Sequence, residues 1–290
     1  MSPLARNLTI FAAALALLFG AGALAGRLID PGAPGGDAEA HNPAAEETND
    51  MNGAHTAVAA DPVRGLAVAE NDLRVVIDDA ELRHGAREQL RFRIVNQRGE
   101  AVRDFDVEHT KRMHLIVARR DLTGFQHLHP EMAADGTWST PLKLDAAGSY
   151  RIFADFSHDG EATTLATDLR VDGPADLLPL PAPRPTAVSD GGYDVRLDSG
   201  AARAGEEAEL RFTVTKDGRP VATEPYLGAD GHLVALREGD LAFLHVHPTD
   251  AAGDSIGFGA TFPTTGAYRL FLQFKVDGTV QTVAFTEEVA

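Results

Sequence analysis

The chain contains an internal repeat, and this repeat constrains its fold more than any other feature. Residues His114–Ala166 align without a gap with residues His232–Ala284, which lie 118 positions later, and 18 of the 53 aligned pairs are identical. Sequences related in this way fold alike, so the chain is expected to hold two similar modules. Its 290 residues are enough for two domains with separate hydrophobic cores.

Both copies consist of short apolar runs of strand length. Examples are Leu90–Val95 and Ser149–Phe156, and turn signals such as Asp159-Gly160 separate such runs. No helical periodicity is present outside the N-terminal segment. About seven strands in a module of roughly 100 residues are typical of an immunoglobulin-like sandwich, with a jelly roll or small barrel as the competing architecture. We therefore predict an all-β chain of two tandem, immunoglobulin-like antiparallel β-sandwich modules.

The N-terminus has the pattern of an export segment. An uninterrupted apolar run, Leu8–Ala25, is flanked by Arg6 and Arg27. Its length is close to the minimum for a bilayer-spanning helix, and Ala23–Ala25 also fits a signal-peptide cleavage site. The sequence leaves open an uncleaved signal anchor or a cleaved signal peptide. Either alternative predicts that the rest of the chain lies outside the cytoplasm, attached to the membrane through the N-terminal helix or secreted.

Composition divides the chain into five segments. An acidic stretch rich in Ala, Pro and Gly follows the export segment and is expected to be a flexible tether, and a second proline-rich stretch separates the two copies. The predicted boundaries are 1–29 for the signal anchor or signal peptide, 30–63 for the acidic linker, 64–173 for module 1, 174–186 for the Pro-rich linker and 187–290 for module 2.

Charge and cysteine content exclude several functions. The formal net charge of −17 argues against nucleic-acid binding, which requires a basic surface. The chain has no cysteine, so disulfides, thiolate nucleophiles and thiolate metal sites are impossible. Any bound metal must be held by imidazole, carboxylate, thioether or backbone oxygen.

Three histidines occur at the same spacing in each copy. Side chains alternate along a strand, so the two histidines of each His-x-His motif share one face. A two-residue turn at Glu238-Gly239 would place His232 directly opposite His245. Neutral imidazole is a good ligand for Cu²⁺ and Zn²⁺. We predict one divalent site in each copy, with the ligands His114, His127 and His129 in the first and His232, His245 and His247 in the second.

The first copy has additional candidate ligands. Glu108 and His109 lie just before its first motif histidine, and His158 stands where the second copy has Val276. These side chains could complete the shell of an ion in the first copy. The first site is therefore expected to bind metal more tightly.

The histidine block resembles that of known envelope proteins. The segment MHLIVARRDLTGFQHLHP and the two Gly-x-Tyr-Arg strands resemble the YtkA-like and CopC-like groups and membrane-anchored bacterial proteins described as heavy-metal-binding. The resemblance implies copper or other metal handling in the cell envelope, with a possible metal-transport partner. The chain lacks the N-terminal histidine of the CopC-like group and a Met-rich copper motif, which leaves copper and zinc both open.

Two other functions compete with metal binding. A cupin-like metalloenzyme would explain the glycine that precedes His245-Val-His247, but the glutamate expected three to five positions later is missing. A structural or adhesive protein would need only the tandem sandwiches. No catalytic motif of another enzyme class is present, and we predict a non-enzymatic metal-binding protein.

Overall fold

The computed structural model describes residues 63–244, 246–250 and 255–290. All regular secondary structure in these ranges is β-strand, and no helix there is long and apolar enough to cross a membrane. The predicted export segment, most of the predicted tether and His245 lie outside the described residues.

The first module is a sandwich of two five-stranded sheets. One sheet has the strand order β1-β2-β4-β8-β7 and the other has the order β3-β10-β9-β5-β6. All pairs are antiparallel except β3 with β10. The strands are β1 (Ala69–Glu70), β2 (Leu73–Ile77), β3 (Glu81–Leu82), β4 (Arg87–Val95), β5 (His114–Arg119), β6 (Gln126–Leu128), β7 (Glu131–Met132), β8 (Trp138–Lys143), β9 (Gly148–His158) and β10 (Glu161–Val171).

The second module repeats this arrangement. Its sheets have the orders β11-β12-β13-β18-β17, with β14 attached to β13, and β16-β15-β19-β20. The strands are β11 (Thr186–Val188), β12 (Asp194–Asp198), β13 (Glu207–Lys216), β14 (Arg219–Pro220), β15 (His232–Arg237), β16 (Phe243–Leu244), β17 (His247–Thr249), β18 (Ser255–Thr261), β19 (Gly266–Val276) and β20 (Thr279–Val289). The predicted all-β fold of two tandem sandwiches is confirmed. Within the described residues each module has ten strands rather than about seven, and the additional ones are edge segments of two or three residues.

Alternating side chains build a separate core in each module. On β13, Leu210, Phe212 and Val214 are buried while Glu209 and Arg211 are exposed, as expected for a sheet with one face in water. Leu115 and Val117 of β5 fill the first core in the same way. The same alternation of buried and exposed side chains therefore builds the core in both copies.

The strands β5 and β15 are buried on both faces. Their inward residues belong to the two cores, whereas Ile116 and Val234 on their outer faces belong to a third apolar cluster. This cluster joins the two modules, so we call it the module interface; its buried members are Ile116, Ala118, Leu122, Phe153, Ala166, Val234, Leu236, Leu241, Phe243 and Phe271. The sheets β5-β9 and β15-β19 thus face each other across it.

The predicted hairpin turn in module 2 is wrong. Ala235 pairs with Leu244 and Leu236 with Phe243, and the N–H of Arg237 donates to the carbonyl of Ala242. The loop therefore comprises the four residues 238–241 rather than two, and the pairing of β15 with β16 is shifted by two positions from the predicted register. The first module has the same register. Its pair Val117 and Gln126 corresponds in the repeat, 118 positions later, to the pair Ala235 and Leu244.

Burial of a leucine explains the longer loop. Leu241 has a φ of 61°, a left-handed conformation that costs a residue with a side chain roughly 1–2 kcal/mol. Its side chain is fully buried in the module interface, which contributes about 1.5–3 kcal/mol in return. Leu122 in the first loop has a φ of 62° and is also buried there.

Candidate metal centre

Strands β5 and β6 bring three histidines of module 1 together. His114 begins β5, His127 lies in β6 and His129 follows it. The residue between the two motif histidines, Leu128, packs against the core of module 1, so the histidines share the opposite face, as the alternation predicts. One ring nitrogen from each of the three lies within 4.8 Å of the others.

The separation of the three rings suits a common ion. Ring centroids are 5.2 Å apart for His114 and His127, 5.2 Å for His114 and His129, and 4.7 Å for His127 and His129. With metal–nitrogen bonds of about 2.0–2.1 Å, two coordinated imidazoles at a tetrahedral angle have centroids roughly 5 Å apart. The rings therefore already stand at the spacing that coordination requires.

Hydrogen bonds at the outer nitrogens set the protonation of two of these rings. His114 Nε2 lies 3.1 Å from the carbonyl oxygen of Glu108, and His127 Nδ1 lies 2.7 Å from the amide oxygen of Gln273. Both oxygens are acceptors, so each histidine donates its single ring proton outward. The inner nitrogens, His114 Nδ1 and His127 Nε2, are then both unprotonated, and they face each other at 3.0 Å.

Two lone pairs at this distance repel each other unless a cation lies beside them. A proton could play that role only if one ring became an imidazolium. Burial opposes this, because it lowers the pKa of His127 well below the usual 6.5 and also lowers the pKa of His114. A metal ion would supply the required positive charge while both rings stay neutral. Histidines that bind metals are usually oriented in this way, by donating the N–H of the other ring nitrogen outward.

His129 supplies the third nitrogen. Its Nε2 is buried and has no hydrogen-bond partner within the described part of the chain. Burial lowers the pKa of His129 to about 4, so the ring is neutral at physiological pH. A buried polar atom without a partner costs roughly 1–3 kcal/mol, and a bound metal would offset that cost.

The second module contributes two residues at the same place. The ring of His232 stacks on His127 with centroids 4.7 Å apart and on His114 at 5.6 Å. Gln273, the pairing partner of His232 on the next strand, accepts a hydrogen bond from His127 through its amide oxygen and donates one to the Thr282 hydroxyl at 3.2 Å through its amide nitrogen. The structure therefore places His232 of the second predicted site beside the first.

The additional candidates of module 1 differ in their placement. His109, whose φ is 46°, lies 6.1 Å from His114 and 5.9 Å from His232 between ring centroids. Glu108 is exposed and meets the cluster through its backbone carbonyl. His158 lies elsewhere: its Nδ1 is 2.8 Å from the carbonyl of Asp104.

The remaining second-copy histidines do not form an equivalent cluster among the described residues. Strand β16 ends at Leu244, and His247 already belongs to β17, which pairs with β18 in the other sheet. His247 is exposed there, opposite Gly259. Pro248 also lies inside this edge strand rather than ending it, because a residue without an N–H is tolerated at a sheet edge. His245 lies outside the described residues.

A small cavity adjoins the cluster. It measures about 20 Å³ and is lined in part by His109, Asp155 and His232, which is room for about one water molecule. Asp155 is the pairing partner of His114 on β9 and accepts a hydrogen bond from Thr164 at 2.6 Å. The cavity borders His232 and His109, whereas His114, His127 and His129 do not line it.

Gln273 is the site residue that sequence reasoning missed as a functional group. In the repeat, Gln273 stands at the position that Asp155 occupies in the first copy. The available signal was a polar side chain in the otherwise apolar run Leu270–Phe274, which indicates a buried polar group with a specific partner.

Several solved structures resemble the chain. FdeC, an Escherichia coli adhesin, is 16% identical, with a TM-score of 0.27 over 77% of this chain and 66% of that one. A Salmonella alpha-2-macroglobulin is 13% identical, with a TM-score of 0.28 over 79% and 15%. A chimeric titin Z1Z2 is 15% identical, with a TM-score of 0.21 over 74% and 96%. The chain thus spans just under two thirds of the adhesin structure.

Family membership rests on the sequence of both modules. No curated protein sequence matches the chain. Residues 67–173 and residues 186–290 each match the family described as "Domain of unknown function (DUF8832)". These two ranges cover most of the chain, which therefore belongs to the DUF8832 family and carries two copies of its domain.

Proposed function

We propose that this protein binds one divalent transition-metal ion, Cu²⁺ or Zn²⁺, at His114, His127 and His129. The observation that supports it most is the 3.0 Å separation of His114 Nδ1 and His127 Nε2, two ring nitrogens whose opposite ring nitrogens each lie at hydrogen-bond distance from an oxygen acceptor. The buried, unpartnered Nε2 of His129 supplies the third donor. Three neutral imidazoles form a donor set suited to these ions.

The donor set favours borderline metals over soft or hard ones. The chain has no cysteine, and the two methionines of the described residues, Met113 and Met132, pack in or against the core of module 1 rather than at the site. Ca²⁺ and Mg²⁺ require a shell of oxygen ligands, whereas here nitrogen predominates. Cu²⁺ is expected to bind more tightly than Zn²⁺, because imidazole sites follow the usual order of divalent affinities.

The site serves a binding role in the cell envelope in this proposal. Leu8–Ala25 directs export, and the tether holds the two sandwiches outside the cytoplasm. One buried and two half-buried ligands hold the ion for storage, buffering or transfer to a transport partner. Fractionation of cells that express the full chain tests the location: recovery of the protein in the cytosol contradicts export.

A metal titration tests the proposed function. The full-length chain, purified in mild detergent and stripped with a chelator, is titrated with Cu²⁺ and Zn²⁺ by isothermal calorimetry. One equivalent is expected to bind with a dissociation constant in the micromolar range or below. His127→Ala should abolish this binding, and His158→Ala, which alters a histidine outside the cluster, should not. A parent protein that binds neither metal contradicts the proposal.

A further inference from the structure

We infer that module 2 contributes to the metal site of module 1, an inference that rests on the proposed function. Metal affinity in module 1 then depends on the docking of module 2, through Gln273. The three ligands belong to module 1 alone. Their orientation does not, because the partner of His127 Nδ1 is the amide oxygen of Gln273, 2.7 Å away on strand β19.

Gln273 is itself held in a fixed position. Its side chain is buried, with 7% of its surface exposed, and its amide nitrogen donates to the Thr282 hydroxyl. With the amide nitrogen at Thr282, the amide oxygen faces His127. An oxygen at that point selects the tautomer of His127 that has its lone pair on Nε2, the nitrogen that faces His114. Gln273 is therefore a positioning residue for a ligand of the other module.

His232 adds a second contact between the modules. Its ring covers His127 with an interplanar angle of 25° and His114 with one of 9°. It is also the Cα partner of Gln273, so the two residues reach the cluster as one unit of the β15-β19 sheet. Separation of the modules would remove both contacts from the ligands together.

The site continues the module interface without a break. Along β5 the outer face carries His114, then Ile116, then Ala118, and the latter two are buried against module 2. On β19 the corresponding face carries Gln273 and then Phe271. The metal site is thus the polar end of a surface whose apolar part docks the modules. Any change in docking therefore changes the positions of the ligands. Because the coupling is reciprocal, the free energy by which docking favours metal binding equals the free energy by which metal binding favours docking.

Substitutions of Gln273 in the full-length chain test this dependence. Loss of an outer partner of a ligating histidine typically weakens metal binding 10–100-fold, and we expect a loss in this range for Gln273→Leu, measured with Zn²⁺ by competition with a chelator. Gln281→Leu is the matched control, because Gln281 is equally buried at 7% in the same module and accepts a hydrogen bond from the Ser189 hydroxyl of that module. It should retain the parent affinity.

A conservative substitution separates positioning from mere packing. Gln273→Glu keeps an oxygen acceptor opposite His127, so it should retain affinity within about threefold if the acceptor matters. Circular dichroism checks that each variant is folded. A parent that binds Zn²⁺ together with a folded Gln273→Leu of unchanged affinity, or equal losses in Gln273→Leu and Gln273→Glu, overturns the inference while leaving the proposed function intact. A parent that binds no metal overturns the proposed function itself.

Discussion

Phe125 of module 1 lies flat against Phe271 of module 2, with ring centroids 4.1 Å apart and an interplanar angle of 6°. The repeat makes Phe243 the counterpart of Phe125 and Phe153 the counterpart of Phe271, and this second pair also meets, at 5.7 Å. Each module thus contributes the same two phenylalanine positions of the repeat to the contact. Such reciprocal contacts are the mark of an isologous, two-fold interface, here formed within one chain.

Removal of one of these rings should weaken the contact between the modules and lower the stability of the protein. Phe271→Ala is expected to lower the free energy of unfolding by about 3–5 kcal/mol, the usual range for a buried phenylalanine. Thermal and urea unfolding followed by circular dichroism measure the loss. Val188→Ala, at a position that is 64% exposed, is the control and should change stability little. Equal stability of the Phe271 variant and the parent would show that the interface contributes nothing.

A buried ion pair stabilises the first hairpin loop. Arg119 Nη2 and an Asp121 carboxylate oxygen lie 2.7 Å apart with side chains 6% and 4% exposed, whereas the related pair Arg237 and Asp240 in module 2 is 17% and 43% exposed. Removal of one member of a buried pair costs about 3–5 kcal/mol. Asp121→Ala should therefore destabilise the protein by roughly that amount, and Asp240→Ala by clearly less, in the same unfolding assay. A larger loss for Asp240→Ala would contradict this ranking.

The sequence was sufficient for the fold and for part of the site. Gap-free repetition gave two modules, and period-2 alternation put His127 and His129 on one face, with Leu128 in the core as expected. These are local properties of a strand. The contribution of His232 could not be predicted, because it depends on which outer faces of the modules meet, and that choice involves residues far apart in sequence.

The hairpin loop shows a second limit of local reasoning. Glu238-Gly239 fits a two-residue turn by its composition, yet the chain turns through 238–241 because Leu241 is more stable buried in the module interface than in water. A shift of two positions in register leaves every side chain on its original face. The alternation is therefore compatible with either loop, and only tertiary packing selects between them.

The metal-free protein should lose stability in mild acid. Burial holds the pKa of His129 at about 4 and lowers the pKa values of His127 and His114, whereas in the unfolded chain each is near 6.5. The unfolded state therefore binds more protons below pH 6.5. The stabilising contribution of these neutral rings is complete above pH 6.5 and is lost as pH falls from there toward 4.

Melting temperatures between pH 7.5 and 4, recorded with a chelator present, measure this dependence. Carboxylates titrate in part of the same range, so the comparison is with His127→Gln/His129→Gln, which lacks two of the buried imidazoles. The parent should lose more degrees of melting temperature than this variant between pH 6.5 and 4.5. Parallel curves would mean that the two histidines have similar pKa values in the folded and unfolded states, which would contradict the prediction.

The repeat provides a matched control for a substitution of the proposed ligand His129, because His129 and His247 occupy the same position in the two copies. His129 contributes a buried ring nitrogen to the cluster, whereas His247 is exposed on the edge strand β17 of the opposite sheet. His129→Ala should weaken Zn²⁺ binding at least tenfold, since it removes a ligand from a three-imidazole set. His247→Ala should leave affinity within about twofold and the stoichiometry at one ion per chain. A second ion in the parent that disappears in His247→Ala would instead establish an independent site in module 2.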